Sequence, residues 1–162
     1  GFQLSDCRIR AGSDGGAHVL KLEGDVRLVM CTALDEYFDR MFAEPEFLSV
    51  WVDVTDATGL DSTTLGMLAK LAISTKSRYG FKPALFSCDP SIDRLLMAMG
   101  FSQLFDLRSG RCDVPCSQDL PARNASEDEV RMKVIDAHRT LMGLNEANKA
   151  AFDDLVRTLE SQ

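Results

Sequence analysis

The sequence is poor in histidine, in basic clusters and in long apolar runs, and each shortage excludes a class of function. Its two histidines leave little room for a hydrolase triad. The net charge of −7 argues against nucleic acid and anionic membranes as direct partners, because both select clusters of lysine and arginine. No segment approaches the roughly 20 apolar residues of a transmembrane helix, and no basic stretch followed by an apolar one marks a secretory leader. We therefore expect a cytoplasmic protein that contacts other proteins.

The cysteines predict free thiols rather than disulfide bonds, because they are odd in number and irregular in spacing. They are Cys7, Cys31, Cys88, Cys112 and Cys116. Cys112 and Cys116 could bind zinc only with further ligands from distant segments, either carboxylates or a histidine. The two histidines are His18 and His138. A chain of 162 residues can bury roughly 70% of its unfolded surface as one compact unit, so we expect no metal and no cofactor.

The most informative segment is residues 50–66, where an apolar strand is followed by a polar loop and a helix start. Residues 50–54 form the short apolar run of a buried strand, which we expect to end near Asp53. Apolar residues then recur at helical spacing, so Asp61 or Ser62 is the expected N-cap, accepting a hydrogen bond from a free backbone N–H. The segment therefore presents hydroxyl groups at the start of a helix.

Three short segments carry a resemblance to a known family. Residues 61–66, D-S-T-T-L-G, match the signature D-S-[ST]-x-L-G of the STAS domains, a family named for sulfate transporters and anti-sigma factor antagonists. Residues 19–24, V-L-K-L-E-G, agree upstream, and residues 95–101, L-L-M-A-M-G-F, agree downstream together with Phe105. The chain therefore resembles a STAS domain over about residues 6–108, and in particular the bacterial antagonists.

The resemblance implies a function called partner switching. An unmodified antagonist of this family binds a histidine-kinase-like ATPase, which acts both as anti-sigma factor and as serine kinase. Phosphorylation releases the antagonist, and a metal-dependent serine phosphatase restores binding. By the family's motif the accepting hydroxyl belongs to Ser62, with Thr63 and Thr64 as less favoured neighbours. ATP and Mg²⁺ then belong to the partners, so the resemblance implies no cofactor in this chain.

The charge of a phosphate explains how such a switch could work. A phosphate on Ser62 would add roughly −1.5 to −2 charges. The helix N-terminus favours this anion, whereas Asp61 opposes it, as does Asp56 if the loop folds back. We therefore expect the domain to keep its fold while its surface charge changes enough to eject a partner.

Seven residues are expected to contact a partner: Asp25, Arg27, Asp56, Asp61, Thr64, Met67 and Leu71. Met67 and Leu71 project from a different side of the helix than Leu65 and Leu68, so something must cover them. A partner could cover them, or the C-terminal segment could do so permanently, or the C-terminal segment could cover them in one state and yield in another. Gly66 lowers helix propensity and is expected to permit a close approach at this helix.

The loop after Gly24 departs from the pattern of the family. Many phosphorylatable members carry an acidic residue three positions after this glycine, where the present chain has Arg27. Arg27 could pair with a phosphate on Ser62, or Asp25 could supply the acidic group from a shifted position.

The rest of the sequence predicts strands that alternate with helices. Strands are expected over residues 6–10, 17–23, 50–53, 84–87 and 105–107, and helices after caps at Thr32, Asp61 and Asp89. This alternation predicts an α/β fold, a mixed sheet covered by helices, in agreement with the STAS fold.

The C-terminal third differs in composition from the rest. Residues 109–125 are rich in glycine, proline, serine, aspartate and cysteine and read as a linker. Residues 126–162 predict a helical hairpin, capped at Ser126 and broken at Gly143. The predicted organisation is a STAS domain at 1–108, a linker and a hairpin extension. The extension resembles that of antagonists that work beside a serine phosphatase fused to a response-regulator receiver.

Two other functions deserve comparison. An enzyme could use Asp53, Asp56 and Asp61 as metal ligands in a phosphatase, or Ser62 as a nucleophile, at one end of the sheet. No histidine lies near Ser62 in the sequence and no G-x-S-x-G motif is present, so we do not expect an enzyme. The stronger alternative is a constitutive interaction scaffold or transport accessory, in which Ser62 serves only as a helix cap.

Overall fold

A mixed sheet of seven strands forms the centre of the molecule in a computed structural model that describes residues 7–162. The strands are β1 (Cys7–Asp14), β2 (Ala17–Val26), β3 (Ser49–Asp53), β4 (Ala57–Leu60), β5 (Ala84–Ser87), β6 (Asp106–Ser109) and β7 (Gln118–Asp119). Their order is β6-β5-β3-β2-β1-β7, and β4 pairs with β2 beyond the end of β3. Strand β1 runs antiparallel to β2 and β7, and the other pairs are parallel. The predicted mixed sheet is therefore confirmed.

Five α-helices accompany this sheet in the described part of the chain. They are α1 (Cys31–Ala43), α2 (Ser62–Tyr79), α3 (Pro90–Ala98), α4 (Glu127–Met142) and α5 (Glu146–Glu160). Short 3₁₀ turns at Leu28–Met30 and Phe101–Gln103 precede α1 and follow α3. The predicted α/β class and the C-terminal pair of helices are confirmed.

The two faces of the sheet are covered differently. On one face, Leu20 and Leu22 of β2 belong to the main apolar core with residues of α1, α2 and α3. Val19 points to the other face, because side chains alternate along a strand. There it packs with Cys112 and Cys116. Residues 109–125, read from the sequence as a linker, therefore cover part of the sheet and contribute strand β7; the division of the chain into domains stays a prediction.

The predicted start of the first strand, at residue 6, lies outside the described residues. Two other local predictions, the cap of α1 and the loop after Asp53, were wrong. Thr32 does not cap α1: the helix begins at Cys31, with Met30 as N-cap and no side-chain hydrogen bond. The chain enters this helix directly from a 3₁₀ turn, so no side-chain cap is needed. The loop after Asp53 forms strand β4, because β2 extends past β3 and offers it an edge.

The exposure of the cysteines gives a first testable prediction. We expect Cys88 to react with iodoacetamide in the native protein and Cys31 to react only when the protein unfolds. Cys88 is exposed, whereas burial raises the pKa of the Cys31 thiol to about 12, and the thiolate is the reactive form. Mass spectrometry of alkylated peptides at pH 8 measures both rates, with Cys88→Ser as the control. Rapid native labelling of Cys31 would contradict the described packing of α1.

Candidate functional site at the start of helix α2

Asp61 fixes the start of α2 to two other elements. Its Oδ1 accepts a hydrogen bond from the backbone N–H of Thr64 at 2.8 Å, which confirms Asp61 as the N-cap. Its Oδ2 accepts a second bond from the backbone N–H of Leu28 at 2.8 Å. Its own backbone N–H donates to the carbonyl of Val26 at 3.1 Å. The carboxylate of Asp61 therefore orients the start of α2 and the turn before α1, and its backbone N–H adds the link to the end of β2.

Ser62 is the first residue of α2, and its hydroxyl contacts the C-terminal hairpin. Its Oγ lies 2.7 Å from Nε2 of His138. The other ring nitrogen of His138, Nδ1, lies 2.7 Å from the backbone carbonyl of Val134. Because a carbonyl only accepts, Nδ1 carries a hydrogen, and the tautomer with its single hydrogen there leaves Nε2 as an acceptor. Nε2 then accepts the hydrogen bond that Ser62 donates.

Gly66 allows α4 to lie directly on α2. A Cβ atom at position 66 would lie 2.3 Å from the carbonyl oxygen of Ala137 and 2.6 Å from its Cβ. The predicted close approach at this glycine is therefore confirmed. Two ion pairs flank the contact: Lys70 of α2 pairs with Asp136, and Lys133 pairs with Asp35 of α1. Helix α4 is thus fixed to both helices that lead away from the site.

Three of the charged residues predicted to contact a partner, Asp25, Arg27 and Asp56, lie at the surface in ion pairs, whereas Asp61 bonds to backbone N–H groups. Arg27 pairs with Asp25 at 2.7 Å, and both side chains are exposed. Asp56 pairs with Arg111 at 2.6 Å. The hydrogen bond from this guanidinium lowers the pKa of Asp56. The side chain of Arg27 is therefore paired with Asp25. A role for these charged residues in binding a partner stays a prediction.

The other predicted contact residues are buried in the described conformation. Thr64 is 1% exposed, Met67 is 4% exposed and Leu71 is 1% exposed. Met67 and Leu71 line a surface groove beside α1 together with Phe38 and Phe42. These three side chains could reach a partner only after a rearrangement, and their contact with a partner stays a prediction.

Asp53, one of the aspartates considered as a phosphatase ligand, is buried and makes hydrogen bonds within the protein. Asp53 is 2% exposed. Its Oδ1 accepts bonds from the backbone N–H and hydroxyl of Thr55, and its Oδ2 accepts from the backbone N–H of Cys112 at 3.0 Å. Among residues 7–162, no three His, Cys, Asp or Glu side chains are grouped to hold a metal ion. Asp53 therefore attaches residues 109–125 to the end of β3.

Sequence reasoning missed His138 as a neighbour of Ser62, from which it is 76 residues distant. The only available signal was a polar residue within the apolar stripe of α4. The ring is 1% exposed and makes an edge contact with Phe152 of α5 at 4.9 Å between centroids. A serine and a histidine do meet here, but the second ring nitrogen bonds a main-chain carbonyl rather than the carboxylate of a triad.

Comparison with known proteins identifies the family. The model of the STAS domain matches residues 8–113, more than half of the chain. The chain belongs to the STAS domain family. A solved structure with this fold is the crystal structure of an anti-sigma factor antagonist from Mycobacterium paratuberculosis, with a TM-score of 0.54 and 17% sequence identity. The alignment covers 81% of this chain and 96% of that chain.

At this level of identity the solved structure establishes the STAS fold alone. No curated protein sequence matches the chain. Among the helices of residues 7–162, none combines the length and the apolar composition that crossing a bilayer requires.

Proposed function

We propose that this STAS protein is an anti-sigma factor antagonist that regulates transcription by partner switching. The observation that carries the proposal is the position of Ser62. It is the first residue of α2, directly after the capping carboxylate of Asp61, in a chain whose family is STAS. The anti-sigma factor antagonist with the same fold adds support.

In the proposed cycle the unphosphorylated protein binds a histidine-kinase-like ATPase that is both anti-sigma factor and serine kinase. The kinase transfers the γ-phosphoryl group of ATP to Oγ of Ser62, the hydroxyl proton is lost and ADP leaves. The first backbone N–H groups of a helix have no intrahelical partner and attract an anion. The fold therefore tolerates the phosphate, while roughly −1.5 to −2 added charges repel the partner.

The return step belongs to a metal-dependent serine phosphatase, and the helical extension suggests one fused to a response-regulator receiver. ATP and divalent metal act in the partner enzymes, and the cycle takes place in the cytoplasm. The contacts of this protein are with proteins and not with nucleic acid or membrane, as its net charge of −7 favours.

Phosphorylation of Ser62 is the prediction that tests this function. We expect peptide mass spectrometry of the protein from its own cells to find phosphate on Ser62 in a fraction that changes between growth and starvation. A Ser62→Ala strain should lose both the phosphate and the response. Thr63→Ala is the matched control, because Thr63 is 5% exposed and should not be modified.

The competing function is a constitutive STAS scaffold or transport accessory. The hydrogen bond between Ser62 and His138 favours it, since it gives the hydroxyl a structural role. Absence of phosphate from Ser62 in both growth states, with a Ser62→Ala strain that behaves normally, would replace the proposed function by this one.

A further inference from the structure

Helix α4 covers the surface that partner switching would use. Its residue His138 binds the hydroxyl of Ser62 at 2.7 Å, and its Ala137 contacts the backbone of α2 at Gly66. Met67, on the same part of α2, is 4% exposed. A protein that reached Ser62 from this side would have to occupy the volume that α4 fills.

We infer that the hairpin formed by α4 and α5 competes with the partner for α2, and that a docked hairpin and a phosphate on Ser62 exclude each other. The hairpin is therefore an autoinhibitory cover, which must leave α2 before Ser62 can be modified or bound. This inference rests on the proposed function for its biological meaning. The exclusion itself is a property of the contacts within this chain.

The hydrogen bonds of His138 explain why a phosphate does not fit. Nδ1–H donates to Val134, so Nε2 is an acceptor that needs the hydroxyl hydrogen of Ser62. Phosphorylation removes that hydrogen and sets phosphate oxygens, which are acceptors, against the acceptor nitrogen. The ring is 1% exposed and lies against Phe152. The 2.7 Å between Oγ and Nε2 leaves no room for a phosphoryl group between them, and a charge of roughly −1.5 to −2 beneath the docked α4 would lose part of its hydration.

The attachment of the hairpin is suited to reversible release. The ion pair between Lys70 and Asp136, which are 42% and 56% exposed, lies at the surface, where such pairs contribute only about 0–1 kcal/mol. The pair between Lys133 and Asp35 is partly buried, with 25% and 34% of the side chains exposed. Residues 121–124, which precede α4, are exposed and link to the core through an exposed pair between Arg123 and Glu36. The start of the hairpin is therefore held by exposed contacts, whereas Ala137 and Leu141, further along α4, belong to the main apolar core.

A second attachment holds the turn of the hairpin. Asn148 of α5 donates to the carbonyls of Met99 and Leu141, both at 2.9 Å. Asn145 donates to the carbonyl of Ala98 at 3.3 Å. The bonds to Met99 and Ala98 tie the turn to the end of α3, and the bond to Leu141 joins α5 to α4. We therefore expect α4 to separate from α2 more readily than the turn separates from α3.

Hydrogen exchange measured by mass spectrometry on the full chain tests the exclusion. The matched variants are Ser62→Asp and Ser62→Asn, which have the same shape but differ in charge and in donors. The asparagine amide can still donate to His138, whereas the aspartate cannot. We expect amides of α4 to exchange roughly tenfold faster or more in Ser62→Asp than in Ser62→Asn, while amides of β2 and β3 stay protected. Equal exchange, or slower exchange in Ser62→Asp, would overturn the inference.

A second variant is needed if Ser62→Asp also speeds exchange in the sheet. His138→Ala removes the same contact without adding charge to α2, and it should speed exchange in the hairpin while β2 and β3 stay protected. Thr140→Ala, also on α4, is its control, because the hydroxyl of Thr140 donates to the carbonyl of Asp136 within the same helix. If α4 in His138→Ala exchanges no faster than in Thr140→Ala, the contact does not hold the cover and the inference fails.

The two proposals can fail separately. Exchange of α4 in these variants needs no kinase, so it reports on the cover whether or not Ser62 is phosphorylated in cells. If α4 is released in Ser62→Asp but Ser62 carries no phosphate in cells, the autoinhibitory cover is supported and the proposed function is rejected. If Ser62 is phosphorylated in cells but α4 is not released in Ser62→Asp, the proposed function is supported and the autoinhibitory cover is rejected.

Discussion

Replacement of Asp61 by alanine is expected to lower the free energy of unfolding by about 2–4 kcal/mol, a large effect for a single partly exposed side chain. Loss of an N-cap costs about 1 kcal/mol, and here the cap binds the buried residue Thr64. The second oxygen binds the partly buried N–H of Leu28, and a fully buried donor left without a partner would cost about 1–3 kcal/mol. Chemical denaturation monitored by circular dichroism measures the change.

Asp89 provides the matched control for this prediction. It caps α3 by accepting one hydrogen bond, from the N–H of Ser91 at an exposed site. Asp89→Ala should therefore cost only about 0.5–1 kcal/mol, the lower part of the range for caps. If Asp61→Ala costs no more than Asp89→Ala, the bond to Leu28 contributes nothing and Asp61 is an ordinary cap.

Helix starts governed by local chemistry could be read from the sequence. Asp61, Asp89, Ser126 and Asn145 each accept a bond from an N–H two or three residues later. These interactions lie within one turn, so a short sequence window contains both partners. The start of α1 could not be read in this way, because the turn before it is held by Asp61, which is 33 residues away from Leu28.

The missed strands depend on edges that are made elsewhere in the fold. Strand β4 (Ala57–Leu60) is short and contains a glycine, so its sequence has little strand character. It forms because β2, with ten residues, continues past β3. Strand β7 has two residues, which are too few to show an alternation of apolar and polar side chains.

The candidate site was predictable in its chain position but not in its surroundings. The motif at Ser62 gave the helix start, and the spacing of Met67 and Leu71 showed that something must cover them. Which element does so depends on contacts between distant segments, such as that between Ser62 and His138. The structure describes α4 on α2. The exchange experiments test whether a negative charge at Ser62 releases α4 from α2.

Replacement of Gly66 by alanine should separate α4 from α2 while α2 itself becomes a better helix. Alanine in place of glycine stabilises a helix interior by about 1 kcal/mol. The new Cβ would lie 2.3 Å from the carbonyl oxygen of Ala137, and overpacking of this kind costs typically about 1–3 kcal/mol. We therefore expect α4 to exchange hydrogen faster and the hydrodynamic radius to increase, with protection of β2 and β3 unchanged.

Two further variants show whether this effect arises at the contact. Ser77→Ala changes an exposed position of α2 and should leave α4 protected. Ala137→Gly added to Gly66→Ala removes the neighbouring Cβ but leaves the main-chain carbonyl, the nearer of the two obstacles, so it should restore protection only in part. Unchanged exchange of α4 in Gly66→Ala, with stability raised by the full gain of helix propensity, would mean that α4 does not rest on Gly66 in solution. The hairpin could not then be the cover of Ser62, because the contact of His138 requires the same approach of the two helices.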